Sequence, residues 1–196
     1  MHFFSSMKVT DYFKAIFPVQ LVAFSTCSSY ASLPASYKAV TEDLKVSKDY
    51  AGFVLPLGST INMDGCGGIY PAIAAIFIAS LYGIELQFID YLLIVGTATF
   101  ASLGTAGVPG TALVMLTVTL SVVGLPLEGI AFIAAIDRIV DMARTTTNVT
   151  GDTMVALVVA EQEGLLTKDP IAGDIKDDSV FAKALSETPV SCEIRS

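Results

Sequence analysis

Charged side chains are missing from this chain over stretches long enough to cross a lipid bilayer. None occurs between Lys14 and Lys38, between Asp49 and Asp64, between Asp64 and Glu85, or between Asp90 and Glu128, the last gap being 37 residues. A bilayer core takes about 20 apolar residues per helix. Of the 196 residues 53% are hydrophobic and 15% charged, against roughly a quarter charged in a soluble domain. A formal charge of -8 repels phosphate and excludes a nucleic-acid partner. Cys27, Cys66 and Cys192 follow no paired spacing, and His2 stands alone, so neither a disulfide framework nor a zinc site is encoded. The N-terminus lacks the basic lead and small-residue cleavage site of a secretory signal. The remaining class is an all-α integral membrane protein.

The apolar stretches are interrupted in a repeated way. Tyr12 to Phe24 is too short to span, and it ends in Ser25-Thr26-Cys27-Ser28-Ser29 before Leu33-Pro34. This suits a re-entrant helical hairpin turning on small hydroxyl residues, or an ordinary helix followed by a surface loop. Tyr50 to Tyr82 is long enough, but Asn62-Met63-Asp64-Gly65-Cys66-Gly67-Gly68 lies in its middle and disfavours continuous helix. Backbone unwound at membrane depth must line a cavity or be buried in protein, and freed carbonyls with a carboxylate suit a cation. The order then recurs. Asp90 to Phe100 is a short apolar run, Ser102 to Gly110 a flexible tip, and Thr111 to Val123 the return. Leu127 to Ala160 reads as a long helix with polar residues inside it. Two re-entrant hairpins, each followed by an interrupted transmembrane helix, form an inverted-repeat transport core.

Loop charge suggests an orientation. Lys38, Lys45 and Lys48 follow the first hairpin, whereas residues 83–90 and 124–127 carry no Lys or Arg. Positive loops favour the cytoplasm. The first hairpin then opens from inside, the second from outside, and the C-terminus is cytoplasmic. From Glu161 on, eight acids and four bases make an acidic segment expected to be a disordered tail over 166–196.

The last helix carries a polar stripe. Asp137, Asp141, Arg144, Asn148 and Asp152 are spaced 4, 3, 4 and 4 and fall within about an 80° arc, with Thr145 at its edge and Arg138 well off it. A solvated amphipathic face has the same spacing, but the flanks 130–136 and 155–159 are apolar. A charge at the bilayer centre costs at least ~2.5 kcal/mol, so such a stripe faces a polar interior. Mutual pairing of Asp137 or Asp141 with Arg144 is one use of it. Reading a ligand is another: a guanidinium for a carboxylate, an aspartate for an ammonium group, an asparagine for a second carboxylate. Asn62, Asp64 and Asp152 add hard oxygen ligands suited to alkali cations.

Four motifs occur in order: Ser28-Ser29 with Leu33-Pro34; Asn62-Met63-Asp64-Gly65; Gly104-Thr105-Ala106-Gly107-Val108-Pro109-Gly110; and Asp137-Arg138 through Asp141-Met142-Ala143-Arg144-Thr145 to Asn148-Val149-Thr150-Gly151-Asp152. From about residue 10 to 165 the chain resembles the dicarboxylate/amino acid:cation symporter family, which includes the glutamate and aspartate transporters. The resemblance implies a first hairpin over 10–48, a broken transmembrane helix over 50–82, a second, gating hairpin over 88–123 and a transmembrane helix over 125–160, after a short segment 1–9. It implies that Asp141 holds a substrate amino group, Arg144 its side-chain carboxylate and Asn148 its main-chain carboxylate. Ser29, Cys66, Thr145 and the Val108 backbone line the same pocket. It also implies sodium sites: Gly58, Asn62, Asn148 and Asp152 at one; Asn62 and Asp64 at another; Thr60, Met63, Ser102, Leu103 and Thr105 at a third.

The family's full chain is about twice as long, so this chain corresponds to a C-terminal half, a truncated product or a fragment, and the homotrimer belongs to a full-length form. Cys66 stands where acidic amino acid carriers usually have Thr, and Gly65-Cys66-Gly67-Gly68-Ile69-Tyr70-Pro71 is similar to the cystine-transporting branch. Asp64, Asp137 and Asp152 match the sodium-driven acidic branch, and Asp141 favours an amino acid over a dicarboxylate. The implied function is uptake of aspartate or glutamate coupled to sodium entry across the plasma (inner) membrane, with lipid around it and no cofactor beyond the coupling ions. Cystine or C4-dicarboxylate transport, and a fragment inactive alone, are the alternatives. An enzyme is disfavoured, because no Ser-His-Asp set, metal-binding His cluster or phosphate loop is present.

Overall fold

The computed structural model describes residues 7–167. These residues form helices and turns, with a single antiparallel bridge between Val46 and Leu166. The acidic segment from residue 168, and residues 1–6, lie outside the described residues.

Helix α1 (Val9–Thr26) ends on Cys27, whose left-handed backbone (φ 54°) reverses the chain. Ser28 then caps α2 (Ser29–Lys38), its hydroxyl accepting from the Ala31 amide at 3.2 Å. A π turn, Ala39–Asp43, leads to α3 (Lys48–Ile61). At Asn62 and Met63 the backbone leaves helical geometry (ψ 64° and 51°), and the chain resumes as a π turn over Asp64–Ile69 before α4 (Tyr70–Leu81). Glycine backbone entropy and the Asn and Asp side chains make this the cheapest place to unwind.

Helix α5 (Phe88–Gly104) opens with a reciprocal cap between Gln87 and Asp90. A tip at 105–110 follows, and α6 (Thr111–Val123) closes on the left-handed Gly124. Beyond Pro126 a 3-10 turn and α7 (Ile130–Ala134) come before α8 (Asp137–Gln162). The expected long helix from Leu127 is therefore interrupted at Ala135–Ile136. The interruption sets Asp137 at the start of α8, where its carboxylate meets Tyr70 and Arg144 rather than lipid.

Among the described residues two large apolar clusters hold the bundle, with a smaller third of Val19, Ala23, Ala39 and Val149. Tyr12, Ile16, Val40, Leu44, Leu55 and Leu157 join the first helix pair to α3 and the C-terminal half of α8. Tyr70, Ile78, Ile94, Leu116, Leu120 and Ile133 join the second pair to α4 and α7. The outside is apolar as well: Phe17, Phe53, Ile73, Phe88, Phe100, Val114 and Ile139 are exposed. So many exposed large apolar side chains suit a surface set against lipid or another protein. Among the described residues, Lys48–Leu81 is long and apolar enough to cross a membrane, while α5 and α6 are apolar but shorter.

Candidate functional site

The polar face of α8 is turned inward. Asp137, Asp141, Arg144, Asn148 and Asp152 are all buried, whereas Arg138 is exposed. Arg144 retains only 5% of its surface. Its Nη2 lies 2.9 Å from Asp137 Oδ1 and 3.1 Å from Asp141 Oδ1. Its guanidinium sits 3.8 Å above the Tyr70 ring centroid, and the Tyr70 hydroxyl donates to Asp137 Oδ1 at 3.0 Å. Arg144 Nε and Nη1 are buried without a hydrogen-bond partner. Each such donor costs about 1–3 kcal/mol until something accepts from it.

One helical turn on, Asn148 is anchored on three sides. Its Oδ1 accepts from the Gly65 amide at 2.7 Å. Its Nδ2 lies 3.3 Å from Met63 Sδ and 3.2 Å from Cys66 Sγ. Ser29 is buried with its hydroxyl 4.0 Å from Met63 Sδ. Thr145 is buried beside Arg144 on the same helix. The backbone of Gly110, at the start of α6, approaches the Asp141 carboxylate. Ser29, Cys66, Asp141, Arg144, Thr145 and Asn148 are thus all interior residues of the bundle. Val108 is exposed at the tip of the second pair.

A second polar group lies further along α8. Asn62 Nδ2 donates to Asp152 Oδ1 at 2.9 Å. A Cβ on Gly58 would stand 2.8 Å from the same oxygen, so a side chain there would push the Asp152 carboxylate aside. Asn62 and Asp152 open onto a cleft of about 280 Å³ walled by Val54, Leu57, Ile61 and Val155. Met63, Ser102 and Thr105 are buried, whereas Thr60, Asp64 and Leu103 are exposed. The Thr60 hydroxyl donates to the Pro56 carbonyl and that of Thr105 to Ala101, so both are turned back on their own helices.

The tips of the two helix pairs meet. The Gly107 carbonyl accepts from the Ser28 hydroxyl at 2.9 Å and the Tyr30 amide at 3.3 Å. Ser59 O would lie 2.8 Å from a Cβ at Gly107, so the tip tolerates no side chain there.

Tyr70 is the participant that the sequence reasoning missed. Its signal was a phenol inside an apolar helix, which needs a hydrogen-bond partner when buried. Asp137, read from the sequence as a partner of Arg144 and as a match to the sodium-driven acidic branch, holds both the phenol and the guanidinium.

A sequence model described as the sodium:dicarboxylate symporter family matches residues 1–162. The chain belongs to that family. Among its relatives, the proton/sodium-glutamate symport protein of Bacillus subtilis is 44% identical over 145 residues, covering 74% of this chain and 33% of the relative. The proton/glutamate-aspartate symporter of Escherichia coli is 46% identical over 143 residues, covering 73% and 32%. Human excitatory amino acid transporter 1 is 47% identical over 139 residues, covering 71% and 26%. The chain spans about a third or less of the length of these relatives. The family is one of membrane symporters, and membership makes this chain part of an integral membrane protein.

Proposed function

We propose that this chain forms the substrate- and ion-binding core of a symporter that couples sodium entry to uptake of aspartate or glutamate. The observation that carries the reading is Arg144. A buried guanidinium with two unpartnered donors, beside Asp141 and Asn148, suits an acidic zwitterion. Arg144 takes the side-chain carboxylate, Asp141 the ammonium group, and Asn148 the main-chain carboxylate; Ser29, Cys66, Thr145 and the Val108 backbone complete the pocket. Ligand binding transfers part of the Arg144 pairing from Asp137 and Asp141 to the substrate.

Sodium is read by Gly58, Asn62, Asn148 and Asp152, by Asn62 with Asp64, and by Thr60, Met63, Ser102, Leu103 and Thr105. The Asn62–Asp152 contact supports the first set. Asp64, Thr60 and Leu103 are exposed, so the other two sets close only when α3, the π turn and α5 shift toward one another. In this reading α1–α2 and α5–α6 are re-entrant hairpins, over 10–48 and 88–123. They lie in the inner membrane with the C-terminus cytoplasmic, and a full-length form is a homotrimer.

The test is calorimetric binding to the chain reconstituted in lipid vesicles, with aspartate, glutamate, cystine and succinate in turn. Aspartate binds in sodium and not when choline replaces it, and Asp152→Asn weakens the sodium requirement. Equal aspartate binding in choline defeats the coupling. A second reading, cystine or a C4-dicarboxylate, draws on Cys66, whose thiol is a poorer donor than a hydroxyl and lies 3.2 Å from Asn148. Cystine binding with aspartate ignored would establish it.

A further inference from the structure

The π turn over Asp64–Ile69 lies between the helix that carries the ligand-reading side chains and the helix that leads to the second tip. Its i→i+5 winding turns roughly 80° per residue, so residues two apart face opposite ways. Gly65 faces α8: a Cβ there would stand 2.8 Å from the Arg144 carbonyl and 3.0 Å from Asn148 Oδ1. Gly67 faces α5: a Cβ there would overlap the Ser102 Cα and stand 2.5 Å from the Ser102 amide nitrogen. Those are backbone atoms, which cannot rotate aside as a side-chain end can. Gly68, the next residue, has nothing within 4 Å of its would-be Cβ. Two of the three glycines in this turn therefore serve contact, one with each neighbouring helix, and the third does not.

We infer that Gly67 is a positioning residue for the second hairpin. Its missing side chain is the seat on which α5 rests at Ser102, and the π turn links that seat to Arg144 and Asn148 through Gly65. The inference deepens the reading of the second hairpin as the gate, and rests on it for its functional meaning. The mechanical part stands on the geometry. A ligand drawing on Arg144 and Asn148 acts on backbone that Gly65 touches, and the short turn packed between α8 and α5 passes the displacement to Ser102, three residues before Thr105 and the tip. A methyl group at residue 67 holds α5 away from that seat, so the tip 105–110 rests open and the sodium ligands on it are displaced.

The test compares Gly67→Ala with Gly68→Ala in the full chain in lipid vesicles. Hydrogen exchange is followed region by region, with and without sodium and aspartate. In the ligand-free chain, Gly67→Ala raises exchange at 102–110 by about tenfold or more, leaves 29–38 at wild-type rates, and Gly68→Ala changes neither. With ligand, Gly67→Ala also raises the sodium concentration for half-maximal aspartate binding by about tenfold, a readout that loss of packing elsewhere would not single out. The unsubstituted chain gives a further check, because ligand protects 64–69 and 102–110 together.

Unchanged exchange at 102–110 in Gly67→Ala overturns the inference. So does loosening of both hairpins alike, which would make Gly67 a support for the whole bundle. Protection of the tip without the turn also overturns it. Absence of any aspartate binding to the unsubstituted chain refutes the aspartate reading instead, while the ligand-free comparison still decides whether Gly67 positions α5.

Discussion

The two helix pairs have similar shapes and are held in different ways. The first is tied by polar groups to α8. The Tyr12 hydroxyl lies 2.9 Å from Thr153 Oγ1 and donates to the Thr150 carbonyl at 2.8 Å, and Gln20 Nε2 donates to Thr150 Oγ1 at 2.9 Å. At its base the backbone is clasped as well: the Ser47 amide donates to Leu165 O at 3.0 Å, and the Thr167 amide to Lys45 O at 2.7 Å. The second pair spends its hydroxyls on itself, with Thr99, Ser102, Thr117, Thr119 and Ser121 all donating to carbonyls three or four residues back. Among the described residues its links to the rest of the bundle are mostly apolar, through Ile94, Ala112, Leu116 and Leu120, with backbone contacts at Gly107 to the first pair, at Ser102 against Gly67 and at Gly110 near Asp141. Directional bonds hold one arrangement, whereas apolar surfaces slide with less loss. In the proposed reading the first pair is the fixed wall and the second the gate that moves against it.

Substitutions should expose this contrast. The largest effect falls at Arg144, between the two pairs. Arg144→Cys strands a substrate carboxylate in a buried site, at a cost of roughly 3–5 kcal/mol, or about two to three and a half decades in affinity. Calorimetry with aspartate and with alanine checks it, and alanine loses far less. Equal losses for both would show that Arg144 serves packing with Asp137 and not recognition.

Leu116→Ala attacks the apolar anchor of the second pair. It should cost about 2–5 kcal/mol and raise exchange through 88–123 while sparing 9–38. If the first pair loosens equally, the two are not separately anchored.

Gly107→Val puts a branched side chain against the Ser59 carbonyl, Met63 and Tyr30. The expected penalty is about 1–3 kcal/mol, with the tips separated. Exchange at 105–110 should rise more than at 27–30, and the reverse order would make the first pair the looser one. The smallest effect is Tyr12→Phe, which removes one interhelical hydroxyl and keeps the ring. Such bonds between membrane helices contribute about 0.6 kcal/mol and at most about 1.7. Thermal unfolding should shift slightly, with added exchange confined to the first pair.

Much of the arrangement is visible from residue spacing. The charge-free stretches mark a membrane chain, the polar arc of α8 is read from helical period alone, and Arg138 is excluded from it by the same arithmetic. Those are local, periodic properties, and periodicity survives in one dimension. The unwinding at Asn62–Met63 is likewise local, because three glycines, an asparagine and an aspartate weaken helix wherever they stand together. Other features are set by partners far along the chain. Asp137 becomes the holder of Arg144 because α8 begins there and Tyr70, 67 residues earlier, donates to it. Asp64 has the chemistry of a cation ligand, yet it is exposed while Asp152, 88 positions later in the numbering, is buried against Asn62. Nothing in the run Gly65-Cys66-Gly67-Gly68 says which glycine must remain bare. That depends on which face of the turn meets α8, which meets α5 and which meets nothing, and only packing in three dimensions assigns those faces.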